Sequence, residues 1–332
     1  MTKPTRRGFL GHAVAAAGTT VFGATAMGRA ASGATESYPT RAISIVGPFA
    51  PGSVSDGVAR VLANRMQTEY GVSCIVENKV GGGGLLASQT VARSSADGYT
   101  LQLTASSVFS GAALYKSLPF DVLKDFTHIA RIGGFPCFIA VNPSLPVRSM
   151  NELVAYAKAN PGKLSYGHGN NMGQIVGETL KRRTGIEIVR VAYRSNPAAV
   201  TDLVAGHIQI MIPDFLTGLA QAKAGHIRPL AVFTKTRNPA LPEVSTCDET
   251  VMPGFELLPW CGLSGPANLP PEIVTRLAKT VEDALGDPDV RERFTNVGCE
   301  VFWGGPQEFQ AYIAAQLANW TTLVKEAGIL PE

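Results

Sequence analysis

The sequence predicts an α/β protein built on mainly parallel sheets with helices on both faces. Three observations carry this. Short β-branched apolar runs alternate along the chain with segments whose apolar residues recur at helical spacing. Pro, Gly, Ser and Asn punctuate nearly every junction between them. The length of 332 residues is enough to bury a large core and to divide into two lobes.

Each element has a local reason. Residues 1–34 form a leader rather than a fold element: Thr5-Arg6-Arg7-Gly8-Phe9-Leu10 reads as a twin-arginine export signal. The Ala-rich stretch that follows it is too short and too broken for a membrane span. Cleavage is expected at Ser32-Gly33-Ala34, with Gly28-Arg29-Ala30 as the rival. No Cys lies there, so the product is expected free in the periplasm. The leader carries Lys3, Arg6, Arg7 and Arg29 and no acid, so the formal charge of +3 falls to −1 on its removal. A basic balance of that origin gives no reason to invoke nucleic acid or anionic lipid.

The run 42–47 reads as a buried strand. Pro48 and Pro51 stop it, Pro51-Gly52 turns the chain, and Ser53, Ser55 and Asp56 are candidates to cap the helix carrying Val58, Leu62 and Met66. A tight loop entering a helix presents unpaired N–H groups at the positive end of the helix dipole, an anion site that needs no Lys or Arg. The loop lacks the endings of nucleotide-binding loops, which favours a carboxylate over a phosphate. Asp56 serves there either as a cap or, toward a ligand, as an acceptor for a hydroxyl, amine or water. After a strand at 73–77, Gly81-Gly82-Gly83-Gly84 allows close backbone approach to a ligand or makes a plain turn.

Further strands are expected at 99–104, 128–132, 136–141, 186–192, 208–212, 228–233 and 258–263. Ser149-Met150-Asn151-Glu152 is a capping box whose helix ends at Asn160-Pro161-Gly162. Ser195-Asn196-Pro197 starts a helix that stops before Gly206. Pro271 opens another, and Pro306 begins the last, whose stripe runs through Phe309, Ile313, Trp320 and Val324. Cys74, Cys137, Cys247, Cys261 and Cys299 show no metal spacing, and their odd number leaves at least one thiol free or paired between chains. A Cys247–Cys261 bridge is the pairing left open. No metal or cofactor is expected. Ser53, Ser55, Asp56, His168 and Asp214 can be drawn as a hydrolase constellation, but no nucleophile elbow or paired-carboxylate signature supports it.

An ordered set of motifs then resembles one family. Tyr38-Pro39-Thr40-Arg41 precedes the first strand, and Pro48-Phe49-Ala50-Pro51-Gly52 with Asp56 follows it. Val76-Glu77-Asn78 with its Gly run, Asp97-Gly98-Tyr99-Thr100-Leu101 and Leu118-Pro119-Phe120-Asp121 come next. Val141-Asn142-Pro143-Ser144-Leu145-Pro146, Pro161-Gly162-Lys163-Leu164, Thr201-Asp202-Leu203 and Pro253-Gly254-Phe255-Glu256 complete the run. Together they resemble the tripartite tricarboxylate transporter substrate-binding receptors, the Bug-type receptors, over residues 38–330.

The resemblance implies a two-lobed periplasmic binding protein of the Venus-flytrap kind, each lobe a mostly parallel sheet flanked by helices. One lobe would comprise 35–138 plus 262–332 and the other 139–261. It implies a non-enzymatic, monomeric solute receptor that closes on a small organic carboxylate and delivers it to membrane permease subunits. The alternative is a receptor presenting its ligand to a sensor kinase; a periplasmic hydrolase or transferase is a remote third.

By the same resemblance, the ligand is pinched between a first loop and a second. The first supplies Phe49, Ala50, Gly52, Ser53, Ser55 and Asp56; the second supplies Gly167, His168, Gly169 and Asn170. Ser106, Ser107, Tyr193, Arg194 and Asp214 complete the lining. Two departures stand out: Gly52-Ser53 replaces the usual Gly-Gly, and His168 stands in a shortened second loop. A charged His168 on the distal end of the ligand would make affinity fall as pH rises through about 6–8.

Overall fold

The computed structural model describes residues 38–330, so the twin-arginine stretch and its cleavage region lie outside the described residues. The chain opens with β1 (Ile43–Gly47), α1 (Val54–Tyr70), β2 (Cys74–Asn78), a 3-10 turn at Gly82–Gly84, α2 (Leu85–Ala92), β3 (Thr100–Ala105), α3 (Ser106–Leu114) and β4 (Phe126–Gly134). It continues through β5 (Phe138–Val141), α4 (Met150–Ala159), β6 (Leu164–His168), α5 (Asn171–Thr184), β7 (Ile188–Ala192), α6 (Asn196–Ala205), β8 (Ile210–Met211), α7 (Phe215–Lys223) and β9 (Arg228–Val232). It ends with β10 (Trp260–Pro266), α8 (Pro271–Gly286), α9 (Pro288–Asn296), β11 (Glu300–Gly304) and α10 (Pro306–Glu326).

The strands form two sheets, ordered β11-β4-β10-β3-β1-β2 and β7-β6-β8-β5-β9. Both are mixed rather than mostly parallel. β1 pairs parallel with β2 and β3, and β6 pairs parallel with β7 and β8. β10 runs antiparallel to β3 and β4, β11 to β4, and β5 to β8 and β9. The cause is the chain path. β4 leaves the first sheet directly into β5 of the second, and the chain comes back through β9 into β10, so a returning strand lies beside the outgoing ones. The two crossings touch: the Phe135 N–H donates to the Pro259 carbonyl at 2.7 Å.

Local signals place the elements that matter. Ser53 caps α1 by accepting the Asp56 N–H, and Gly71 ends it in the left-handed region at φ 68°. Val58, Leu62 and Met66 are fully buried against the first sheet's core with Ile43 and Ile45. In the second sheet, Ser149 caps α4 and Gly185 ends α5. α10 starts against the first sheet, where Phe309 and Ile313 pack with Val46 and Trp260. Its second half instead seats Trp320 and Val324 in the second sheet's core beside Tyr166 and Val176. All five cysteines are free. Cys247 belongs to the second sheet's core and Cys261 to the first's, so they do not bridge. No helix among the described residues is long and apolar enough to cross a membrane.

One buried group makes the fold acid-sensitive. His128 on β4 packs among Phe109, Phe126 and Phe309. Its Nε2–H donates to the Val122 carbonyl at 3.1 Å, which leaves Nδ1 to accept from Ser264 Oγ at 2.9 Å; Ser264 in turn accepts from Thr104. A second ring proton would displace the Ser264 hydroxyl proton from Nδ1 and place a charge among aromatic rings. Burial pushes the His128 pKa down to about 4. As pH falls from about 6.5 to 4 the unfolded chain takes up a proton that the fold refuses, so stability is lost across that window. The contribution is about 3 kcal/mol. Urea melts of His128→Gln at pH 7.5 and 4.5 should show that much less pH dependence than the parent; equal dependence would remove His128 as the cause.

Candidate functional site

Two adjoining cavities lie beyond the carboxyl ends of the parallel strands of both sheets, where the strand order reverses beside β1 and beside β6. Crevices at such points are where open α/β sheets bind ligands. The inner one holds about 50 Å³ and the outer about 530 Å³. Phe49, Gly169 and Asn170 line both.

The inner cavity is a meeting of helix starts. Ser53, Val54 and Ser55 bring the first turn of α1, and Ser106 and Ser107 that of α3. Asn170 caps α5, Ser195 and Asn196 begin α6, and Asp214 caps α7. The first N–H groups of each helix have no partner within the helix, and its dipole ends there in partial positive charge. No Lys, Arg or His among the described residues lines this cavity. Its one charged residue, Asp214, is occupied: Oδ1 accepts from the Thr217 N–H and Oγ1, and Oδ2 accepts from Asn196 Nδ2 at 2.7 Å. Asp214 thereby fixes the start of α6 against that of α7. The arrangement suits one small anionic group held by backbone donors.

Of the residues singled out in the sequence, Phe49, Ser53, Ser55, Ser106, Ser107, Gly169, Asn170 and Asp214 line the inner cavity. His168, Tyr193 and Arg194 line the outer one. Ala50, Gly52, Asp56 and Gly167 line neither. Gly167 lies under Tyr193 and Ile208, with no room for a side chain. Asp56 builds the first loop. Its carboxylate accepts from the Gly52 N–H at 3.0 Å, from Asn78 Nδ2 at 3.0 Å and from Arg60 Nε at 3.0 Å. Burial works to raise its pKa, but these donors hold it below the usual carboxylate range. Asn78 also donates to the Phe49 carbonyl at 2.8 Å, so a strand-end amide ties both arms of the loop to β2. Asp56→Ala leaves the Gly52 N–H without its acceptor and Asn78 with the Phe49 carbonyl alone, and should cost about 1–3 kcal/mol of stability in urea titrations. A loss under 0.5 kcal/mol, the range of an ordinary surface change, would reduce Asp56 to a solvated charge.

His168 departs from its expected role. It is 7 % exposed, and its Nδ1 faces the Asn170 carbonyl at 3.1 Å. That nitrogen carries the proton, and the buried Nε2 has no partner among the described residues. Burial pushes its pKa down to about 4. At neutral pH the ring is uncharged, so its titration brings no fall in affinity between pH 6 and 8.

The outer cavity holds residues that the sequence did not single out, chiefly Arg190, Gln174 and Tyr115. Arg190 and Ala192 share one face of β7 by strand alternation, and both line the cavity. The glycine run Gly81–Gly84 lines it too. Asn171 at the start of α5 explains part of that run: its Nδ2 donates to the Ser107 carbonyl at 3.1 Å, and a Cβ on Gly83 would lie 2.6 Å from its side chain. Gly83 also has φ +64°, so both space and backbone require glycine.

Comparison with known proteins agrees with this geometry. The family described as "Tripartite tricarboxylate transporter family receptor" matches residues 58–329. Protein BugT of Bordetella pertussis is 32% identical over 312 residues, 93% of this chain and 95% of BugT. The solved structure of R. palustris Rpa4515 with adipate superposes with a TM-score of 0.85 at 34% identity, covering 89% of this chain and all of the other. Periplasmic binding protein BugD gives 0.84 at 30% identity over 89% of this chain and all of BugD. MatC of Rhodopseudomonas palustris, with bound malate, gives 0.81 at 27% over 86% of this chain and all of MatC. Two mixed sheets joined by two crossings, a crevice at their switch points and these matches together make the chain a member of the tripartite tricarboxylate transporter receptor family, a solute receptor for a transporter of that type.

Proposed function

We propose that the protein receives a small organic carboxylate in the inner cavity and hands it to the membrane permease subunits of a tripartite tricarboxylate-type transporter. The observation that carries this reading is the convergence of five helix starts on a cavity lined, among the described residues, by no cationic side chain. Adipate with one relative and malate with another support the ligand class. In this reading one lobe rests on each sheet, and the touching crossings are the hinge about which they close. The reaction is binding and release, without turnover. The compartment is the periplasm, reached by twin-arginine export; replacing Arg6 and Arg7 by Lys should leave precursor in the cytoplasm, and normal periplasmic yield would refute that route.

The test of the ligand class is native mass spectrometry of the purified protein followed by thermal shift. A true ligand at 100 dissociation constants stabilises the fold by about 2.7 kcal/mol, a rise of several degrees for a chain of this size. A panel of mono-, di- and tricarboxylates that moves nothing, with no acid copurifying, would overturn the proposal. An acid consumed during the assay would replace it with an enzyme.

A further inference from the structure

The inner cavity offers more donors than one carboxylate can use. Five serines stand in its wall: Ser53 and Ser55 at the start of α1, Ser106 and Ser107 at the start of α3, and Ser195 at the start of α6. None is more than 8 % exposed. Ser53 Oγ accepts the Asp56 N–H at 3.3 Å, and Ser53 and Ser55 share one hydrogen bond at 3.2 Å, which leaves one proton of that pair unused. Ser106 Oγ accepts the Trp260 N–H at 3.2 Å and keeps its own proton. The Ser107 and Ser195 hydroxyls have no partner among the described residues, and Ser195 begins α6 without a side-chain cap bond. One proton from the Ser53–Ser55 pair and one each from Ser106, Ser107 and Ser195 are therefore free. The side-chain acceptors beside them are engaged, Asn170 Oδ1 by the Gly173 N–H and Asp214 by Thr217 and Asn196.

An ionised carboxylate has about four lone-pair sites on its two oxygens. These hydroxyls alone would fill them, before any main-chain N–H of the helix starts takes part. Space points the same way. A water-sized atom needs about 10–15 Å³, so a cavity of about 50 Å³ seats more than two. Charge narrows the choice. Among the described residues no Lys, Arg or His lines the cavity and Asp214 does, so a second negative charge in the head group is opposed. A sulfonate brings three acceptor oxygens on a single charge. Resting on the proposed anion site, we infer that the receptor takes organosulfonates as well as carboxylates, the third oxygen accepting from Ser107 and Ser195. With a carboxylate, an ordered water stands in that place.

Calorimetry on protein stripped of ligand tests this with matched pairs of probes: adipate against ω-sulfopentanoate, benzoate against benzenesulfonate, and β-alanine against taurine. In at least one pair the wild type should bind the sulfonate as tightly as its carboxylate partner or tighter. Ser107→Ala/Ser195→Ala should weaken that sulfonate about 10–100-fold, the worth of a hydrogen bond to a charged group. The carboxylate of the same pair should stay within threefold. Neither hydroxyl bonds within the described protein, so the double variant should melt as the parent does. Sulfonates weaker than their carboxylate partners in every pair would overturn the inference and leave the carboxylate reading standing. Equal losses for both head groups in the variant, or no loss for either, would overturn it as well, because the two serines would then hold no third oxygen. A sulfonate that binds where its carboxylate does not, and that the variant loses, would bear out the inference and overturn the carboxylate reading. Binding of neither member of any pair would overturn both.

Discussion

Replacing Gly169 by Ala should abolish tight ligand binding while the protein stays folded. Gly169 borders both cavities, and a Cβ there would run into the Asn196 nitrogen and the Ser195 carbonyl carbon. These are backbone atoms of the start of α6, so no side-chain rotation relieves the overlap. Either the second loop or the first turn of α6 must retreat, and with it donors that face the inner cavity. Overpacking of this kind costs about 1–3 kcal/mol. Drawn from the bound state, that is roughly 10–100-fold in affinity. Gly286, with open space around it, is the control. Calorimetry with a ligand of the wild type decides: an affinity for Gly169→Ala within threefold of the Gly286→Ala control would show that the second loop takes no part in the grip.

Trp320→Ala should be among the most destabilising single changes in the chain, at about 3–5 kcal/mol. Trp320 is 1 % exposed and lies far along a helix whose beginning packs on the other sheet. Its Nε1 has no hydrogen-bond partner, so its contribution is packing rather than polar pairing. Truncation opens a large void in the second sheet's core and frees the end of α10, with Val324 and Ile329, from its seat. Urea denaturation should show a lower midpoint, and limited proteolysis should cut near the C-terminal end of α10 first. Trp320→Phe should recover more than half of the loss. A cost below 1.5 kcal/mol would mean that the core collapses around the gap.

These predictions concern contacts between segments distant in sequence, and that is where reading the sequence ran short. The first loop was legible because its logic is local: a stopped strand, a turn at Gly52, a cap at Ser53 and a helical stripe behind it. The fate of Asp56 was half legible. Arg60 lies one turn on, but Asn78 reaches it from the end of another strand. β6 went unread because Leu164-Ser165-Tyr166-Gly167-His168 contains no β-branched residue and follows Pro161-Gly162, although it forms a parallel ladder on both sides. β11 holds a single β-branched residue, Val301, in a five-residue run that ends at Gly304 and follows Gly298, too short a signal to read as a strand. The sheets were expected to be mainly parallel because helix–strand alternation says nothing about where the chain crosses between them. Arg190 reads as one charge on an edge strand, and only the placement of the second sheet turns its face to the cavity.

On the proposed reading the inner cavity grips through main-chain N–H groups, and this bears on how such receptors diversify. A main-chain donor is present whatever its own side chain, so the anchor is lost only through residues that position the helix starts, such as Asp56 and Asp214. On that reading, substitutions on the outer wall, where Arg190, Arg194 and Gln174 stand, would change the cargo without removing the anchor. The same construction leaves the anchor with no proton of its own to gain or lose near neutrality. The acidity at which cargo is dropped is then set by the cargo's own carboxyl group, in the range of about 4–5 for ordinary acids.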